Sequence, residues 1–132
     1  MTILDILSPL RQRQGTVRTH GLDDASLLQL AGQYPDLLIA AQRAADLFPE
    51  LANEFADLAD ADEQTQIDAT QSGFINFYPD DAINPYVAIA ACGPWVVTLK
   101  GRVLHDSGGY GMLGFGHTPE AVIETMSKPQ VM

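Results

Sequence analysis

A single cysteine, Cys92, occurs in the 132 residues, so no disulfide can form within the chain and nothing in it calls for an oxidising compartment. Basic residues are also scarce. Seven Lys and Arg stand against 17 Asp and Glu, a formal net charge of −10. Nucleic acid is therefore a poor partner, because phosphate recognition needs a basic stripe, and an anionic membrane surface is disfavoured for the same reason. No apolar run approaches the roughly 18 residues of a membrane span. The amino terminus has no basic stretch followed by an apolar one, so no secretory leader is expected and the expected location is cytoplasmic. Lysine is rarest of the basic residues, with only Lys100 and Lys128 present.

What is present suffices for one small domain. Hydrophobic residues make up 46% of the chain and charged residues 18%, a low share that suits a chain burying surface against something else. Cys92 ends the apolar run that begins at Val87 and reads as a buried thiol, since Gly93-Pro94 beside it offers no basic or helix-terminal setting to activate it.

The patterning divides the chain. Ile3, Ile6, Leu7 and Leu10 stand at helical spacing, weakened by Pro9. Asp23 or Asp24 is placed to cap a helix whose stripe is Leu27, Leu28, Leu30, Ala31 and Tyr34. Pro35 suits the first turn of the next helix, carrying Leu37, Leu38, Ala41, Ala44, Ala45 and Phe48, and Pro49 is expected to open a third with Leu51, Phe55 and Leu58. Between Asp23 and Asp68 lie eleven acids and one base, Arg43, which reads as a solvated helix face; scattered acids on successive turns show no metal-liganding cluster. Gly73, Pro79, Asp80, Asp81, Asn84 and Pro85 mark a loop, and Phe74, Phe77 and Tyr78 suggest that it is packed down. Val87–Ala91 reads as a short strand or an apolar linker. Trp95–Leu99 and Arg102–His105 make a β-hairpin around Lys100-Gly101. Thr118 is expected to cap a last helix with Pro119 in its first position and Glu120 in its first turn.

Five of the nine residues from 108 to 116 are glycine. Gly109-Tyr110-Gly111-Met112-Leu113-Gly114 matches the dinucleotide fingerprint G-x-G-x-x-G in letters but not in context. The fingerprint's helix begins within the motif so that its amides meet the pyrophosphate, whereas Pro119 sets this helix beyond it. A kinase-type glycine loop fails for want of a following lysine strand and catalytic loop.

The order of the stretch from Trp95 to Glu124 resembles class III pyridoxal-phosphate-dependent aminotransferases. Near their amino terminus these carry a hairpin with a glycine turn, then an aspartate, a segment of small and aromatic residues, Gly-His, and a proline-started helix. Here those parts are Trp95–Asp106, Ser107–Phe115, Gly116-His117 and Pro119–Val122. The family's Gly-His-x-His-Pro stands here as Gly116-His117-Thr118-Pro119, one residue shorter and without the second histidine. The resemblance implies an α+β fold like the amino-terminal part of a fold-type I aminotransferase. Residues 1–70 would be a helical amino-terminal extension and 71–86 a connecting loop. Residues 87–132 would be the hairpin, glycine-rich turn and truncated helix that start the small domain. It further implies that Ser107, Gly108, Gly109, Tyr110 and Gly111 line the mouth of a substrate site, with Tyr110 facing the substrate and His117 structural, orienting the start of the helix.

A pyridoxal-phosphate enzyme needs a Schiff-base lysine and an acid beside the pyridinium nitrogen. Lys100, in a hairpin turn, is expected to be solvated and fully protonated, and Lys128 lies beside Pro129 near the chain end. In the resembled family the lysine, the acid and the phosphate site lie downstream in the large domain. The expectation is therefore an amino-terminal fragment with no catalytic, cofactor-binding or metal residue of its own. The parent would bind pyridoxal phosphate and form a homodimer, and the fragment's partner would be the rest of that chain. The residues alone leave a second reading open, a non-enzymatic module whose acidic helices dock a partner.

Overall fold

The computed structural model describes residues 1–74, 85–107 and 114–129. Among these the fold is α+β, six helices with one small antiparallel sheet. Helix α1 spans Ile3–Arg11 and begins with a reciprocal cap: the Thr2 hydroxyl accepts from the Asp5 amide at 3.3 Å, and the Asp5 carboxylate accepts from the Thr2 amide at 2.7 Å. Its buried side chains are Ile3, Leu7 and Leu10, the spacing that the sequence announces. Helix α2, Asp24–Ala31, is capped by Asp23, whose carboxylate accepts from the Ser26 amide at 2.8 Å. Of its expected stripe only Leu27 is buried; Leu28 and Tyr34 remain about half exposed.

Helix α3, Pro35–Glu54, starts on its proline as expected. Pro49 does not open a third helix; it sits inside α3. The reason is packing. Leu37, Ala40, Ala41, Ala44 and Phe48 form a buried stripe that leads up to Pro49, and Leu51 and Ala52 beyond it are still half-buried. Continuing the helix keeps that face on the core, while Pro49 itself points to solvent. Two short helices follow, α4 (Ala56–Asp60) and α5 (Glu63–Gln71).

The sheet has the order β1-β2-β3, with β1 Ala88–Cys92, β2 Trp95–Thr98 and β3 Val103–His105, all pairs antiparallel. The apolar run before Gly93 is thus a strand. The hairpin pairs Trp95 with His105 and Val97 with Val103. Its turn closes through the Gly101 amide to the Thr98 carbonyl at 2.8 Å. Every residue of β2 is buried. Helix α3 lies across β1 and β2, and α1 packs on α3. One apolar cluster joins Ile3, Leu7, Leu27, Leu37 and Phe48 to Trp95, Val97 and Val103, so the helices and the sheet share a core.

Helix α6 spans Glu120–Met126. Its N-cap is Pro119, with φ −71° and ψ 101°, and not Thr118. Thr118 lies at φ 46°, and its hydroxyl donates to the Ala91 carbonyl at 2.8 Å, so it is spent on the sheet and cannot serve the helix. No helix among the described residues is long and apolar enough to cross a membrane.

Candidate functional site

The glycine-rich segment leaves the sheet after β3 and returns before α6, and its two ends are tied together. The Asp106 amide donates to the Pro94 carbonyl at 2.7 Å. Gly93 and His117 exchange a pair of backbone hydrogen bonds, at 3.2 and 2.7 Å. The His117 ring closes the frame, with Nε2 2.9 Å from Asp106 Oδ2. The crossing is tight enough to demand glycine. A Cβ at Gly116 would lie 2.7 Å from the Gly93 Cα, and both residues have positive φ, 73° and 55°. His117 is thereby pinned to the sheet three residues before α6 begins. Asp106, eleven residues earlier in the chain, is brought beside the ring by the return of the hairpin.

This frame borders a cleft of about 510 Å³ that includes Asp36, His105, Asp106 and Ser107 in its walls. Ser107 is exposed at its edge. The other expected site residues, Gly108, Gly109, Tyr110 and Gly111, lie outside the described residues. Through Asp36, Pro94 and His105 the cleft adjoins a second hollow of about 420 Å³, walled by Leu22, Leu30, Tyr34 and Trp95. Three rings form a corner there. The Tyr34 and Trp95 centroids are 5.7 Å apart, and His105 meets Trp95 edge-on at 5.0 Å. Asp36 had read as one acid of a solvated helix face, and nothing local in the sequence associates it with Trp95 or His105.

Lys100 departs from the expectation of a solvated turn residue. It is buried, 2% exposed, rather than solvated. The end of α1 covers the hairpin tip, where Arg11 Nε donates to the Gly101 carbonyl at 2.9 Å. The Lys100 ammonium donates to the carbonyls of Gln14 at 2.5 Å and Ala59 at 3.4 Å. Burial lowers its pKa below the ordinary lysine value of 10.5, against the opposing pull of Asp60, Asp62 and Glu63. Its nitrogen is committed to backbone carbonyls and borders neither hollow. Lys128 lies past the end of α6, exposed, 3.9 Å from Glu124. Neither lysine fits a Schiff base with pyridoxal phosphate.

Several acids of the long acidic run serve the fold itself. Glu63, 1% exposed, accepts from the amides of Arg18 at 2.5 Å and Thr19 at 2.7 Å and from the Thr19 hydroxyl at 2.7 Å. Burial alone would raise its pKa, but these hydrogen bonds outweigh it and hold the carboxyl below its ordinary 4.5. Asp60 pairs with Arg13 at 2.8 Å, and Asp62 accepts from the Thr16 amide at 2.6 Å. Cys92 is a buried thiol whose pKa is pushed up by burial and by nearby Asp36. Among the described residues no group of three or more His, Cys, Asp or Glu could hold a metal ion. No known family model, curated protein or solved structure matches this chain.

Proposed function

We propose that this chain forms the amino-terminal part of a class III pyridoxal-phosphate-dependent aminotransferase, which moves an amino group between an amino donor and a keto acid or aldehyde. The observation that supports this reading is the frame around the glycine-rich segment. The stretch whose order resembles the family is closed at its base by the Gly93–His117 pair and the His117–Asp106 contact. That base stands on the rim of a cleft, with Ser107 at the edge. A segment held in this way can present a short glycine-rich backbone and one tyrosine to a substrate, with an apolar face and a polar tip.

Because neither lysine of the chain fits the cofactor, the reading assigns pyridoxal phosphate and its lysine to polypeptide outside these residues, in a parent that is a homodimer. The chain's own share is then to line the substrate entrance with Ser107, Gly108, Gly109, Tyr110 and Gly111.

Two experiments test it. The first is the reading frame after the codon for Met132. An in-frame large domain with a lysine in a cofactor pocket supports the proposal, and an immediate stop codon overturns it. The second uses the complete enzyme. Tyr110→Phe is expected to lower kcat/KM by the worth of one neutral hydrogen bond, about 0.5–1.5 kcal/mol. Tyr110→Ala is expected to cost more and to change which amino donors are accepted, with little change in Tm. A sharp fall in Tm with donor preference intact would make Tyr110 a packing residue and sink the assignment.

A further inference from the structure

We propose that the hollow between α2, α3 and the hairpin binds a primary alkylammonium, with the Asp36 carboxylate taking the charged head and Leu22, Leu30, Tyr34 and Trp95 taking the apolar tail. The hollow measures about 420 Å³, within the range of small-molecule sites. Its wall is apolar and aromatic apart from Asp36 and His105.

The Asp36 carboxylate is available. Among the described residues it takes part in no hydrogen bond or ion pair. Arg43, about two turns further along α3, is spent on the Ala91 carbonyl, the Thr118 hydroxyl and Glu120, at 3.3, 2.6 and 2.6 Å. A Cβ at Gly93 would lie 2.6 Å from Asp36 Oδ2, so the carboxylate stands on the side of the hollow that it shares with the neighbouring cleft. An acid in the first turn of α3 is favoured by the helix dipole whatever else it does. The dipole does not account for that acid sharing one hollow with Tyr34, Trp95 and His105. A carboxylate next to aromatic faces and an apolar slot is the arrangement that selects an organic cation over a metal ion or a neutral molecule of the same shape. The surplus of acids over the whole chain favours the approach of a cation.

This inference goes beyond the aminotransferase reading and does not rest on it, because it uses none of Ser107 to Gly111. Its failure would leave the reading-frame test untouched.

Trp95 is the one tryptophan of the chain and lies in the slot wall, so its emission reports the site directly. The experiment titrates the 132-residue chain with butylammonium chloride, with butanol and with sodium chloride at matched concentration. Expected is a saturable change in Trp95 emission with butylammonium at about millimolar affinity, and none with butanol or the salt. Asp36→Asn is expected to weaken binding about fivefold. Asp36→Glu should keep most of it, and Asp46→Asn, further along the same helix, should leave it unchanged. The proposal is overturned if butylammonium gives no saturable change, if butanol gives the same response, or if Asp36→Asn and Asp46→Asn affect binding equally. The butanol comparison needs no variant, so it decides the question even if a substitution disturbs folding.

Discussion

Glu63 and Lys100 are both nearly inaccessible to solvent, and both have pKa values below their ordinary ones. For Glu63 the unfolded chain takes up a proton near the ordinary 4.5, before the folded chain does. Its contribution to stability is therefore complete above that value and is lost as the pH falls through the lower, folded value. Glu63→Gln turns an amide donor toward the Arg18 and Thr19 donors. It is expected to cost about 1–3 kcal/mol near neutral pH and to flatten the acid limb of the stability profile, as read by urea unfolding across pH. For Lys100 the unfolded chain keeps its proton up to the ordinary 10.5 while the folded chain releases it earlier. Stability from this group is thus fully present above 10.5 and is lost as the pH falls through the folded value. Lys100→Met leaves the Gln14 and Ala59 carbonyls without their donor. It should cost about 1–2 kcal/mol near neutral pH and abolish the alkaline rise. A variant that keeps that rise would place the titrating group elsewhere. Neither residue announces its burial in sequence. Glu63 is one acid among many, and a lysine beside a turn glycine ordinarily meets water. What meets them is the segment after α1, dozens of residues away along the chain, through the Arg18 amide on Glu63 and the Gln14 carbonyl on Lys100.

At the level of elements, the periodic signals carried far and the proline signals less so. The stripe of α1, most of that of α3, the Asp23 cap, the start of α3 on Pro35 and the β2–β3 hairpin are legible, because each depends on neighbours within a turn or a strand; on α3 the buried residue is Ala40, and Leu38 is exposed. Pro49 and Thr118 were misread because a local preference was overruled by a distant partner, the shared core in one case and the Ala91 carbonyl in the other. Pro49 offers a direct check. It is solvent-facing and inside α3, where proline removes one backbone hydrogen bond. Pro49→Ala is expected to raise stability by up to about 3 kcal/mol, measured as a higher Tm or urea midpoint. A fall in stability would mean that α3 needs the proline to direct the chain into α4.

For the molecule as a whole, the shared core makes a simple expectation. Residues from α1, α2, α3, β2 and β3 belong to one cluster, with Trp95 inside it. Helical circular dichroism and Trp95 emission should therefore report the same urea midpoint and the same slope. Separated transitions would show that the helices and the sheet unfold independently. The candidate site is a product of this same packing. Its aromatic corner draws Tyr34 and Asp36 from one end of α3 and Trp95 and His105 from the hairpin. No spacing rule links those positions, so the slot could not be seen until the helix was laid across the sheet. The glycine-rich segment, by contrast, was conspicuous in sequence because its composition alone sets it apart.

The knot at Gly93, Asp106 and His117 has a consequence for how this surface can change. Two points of the chain, Asp106 and His117, are pinned to each other from outside the glycine-rich stretch, so closing the loop at its base falls to them. Lengthening such a span costs little, about 0.6 kcal/mol for each doubling. The scaffold on either side is joined by contacts of its own, the Gly93–His117 pair and the His117–Asp106 contact.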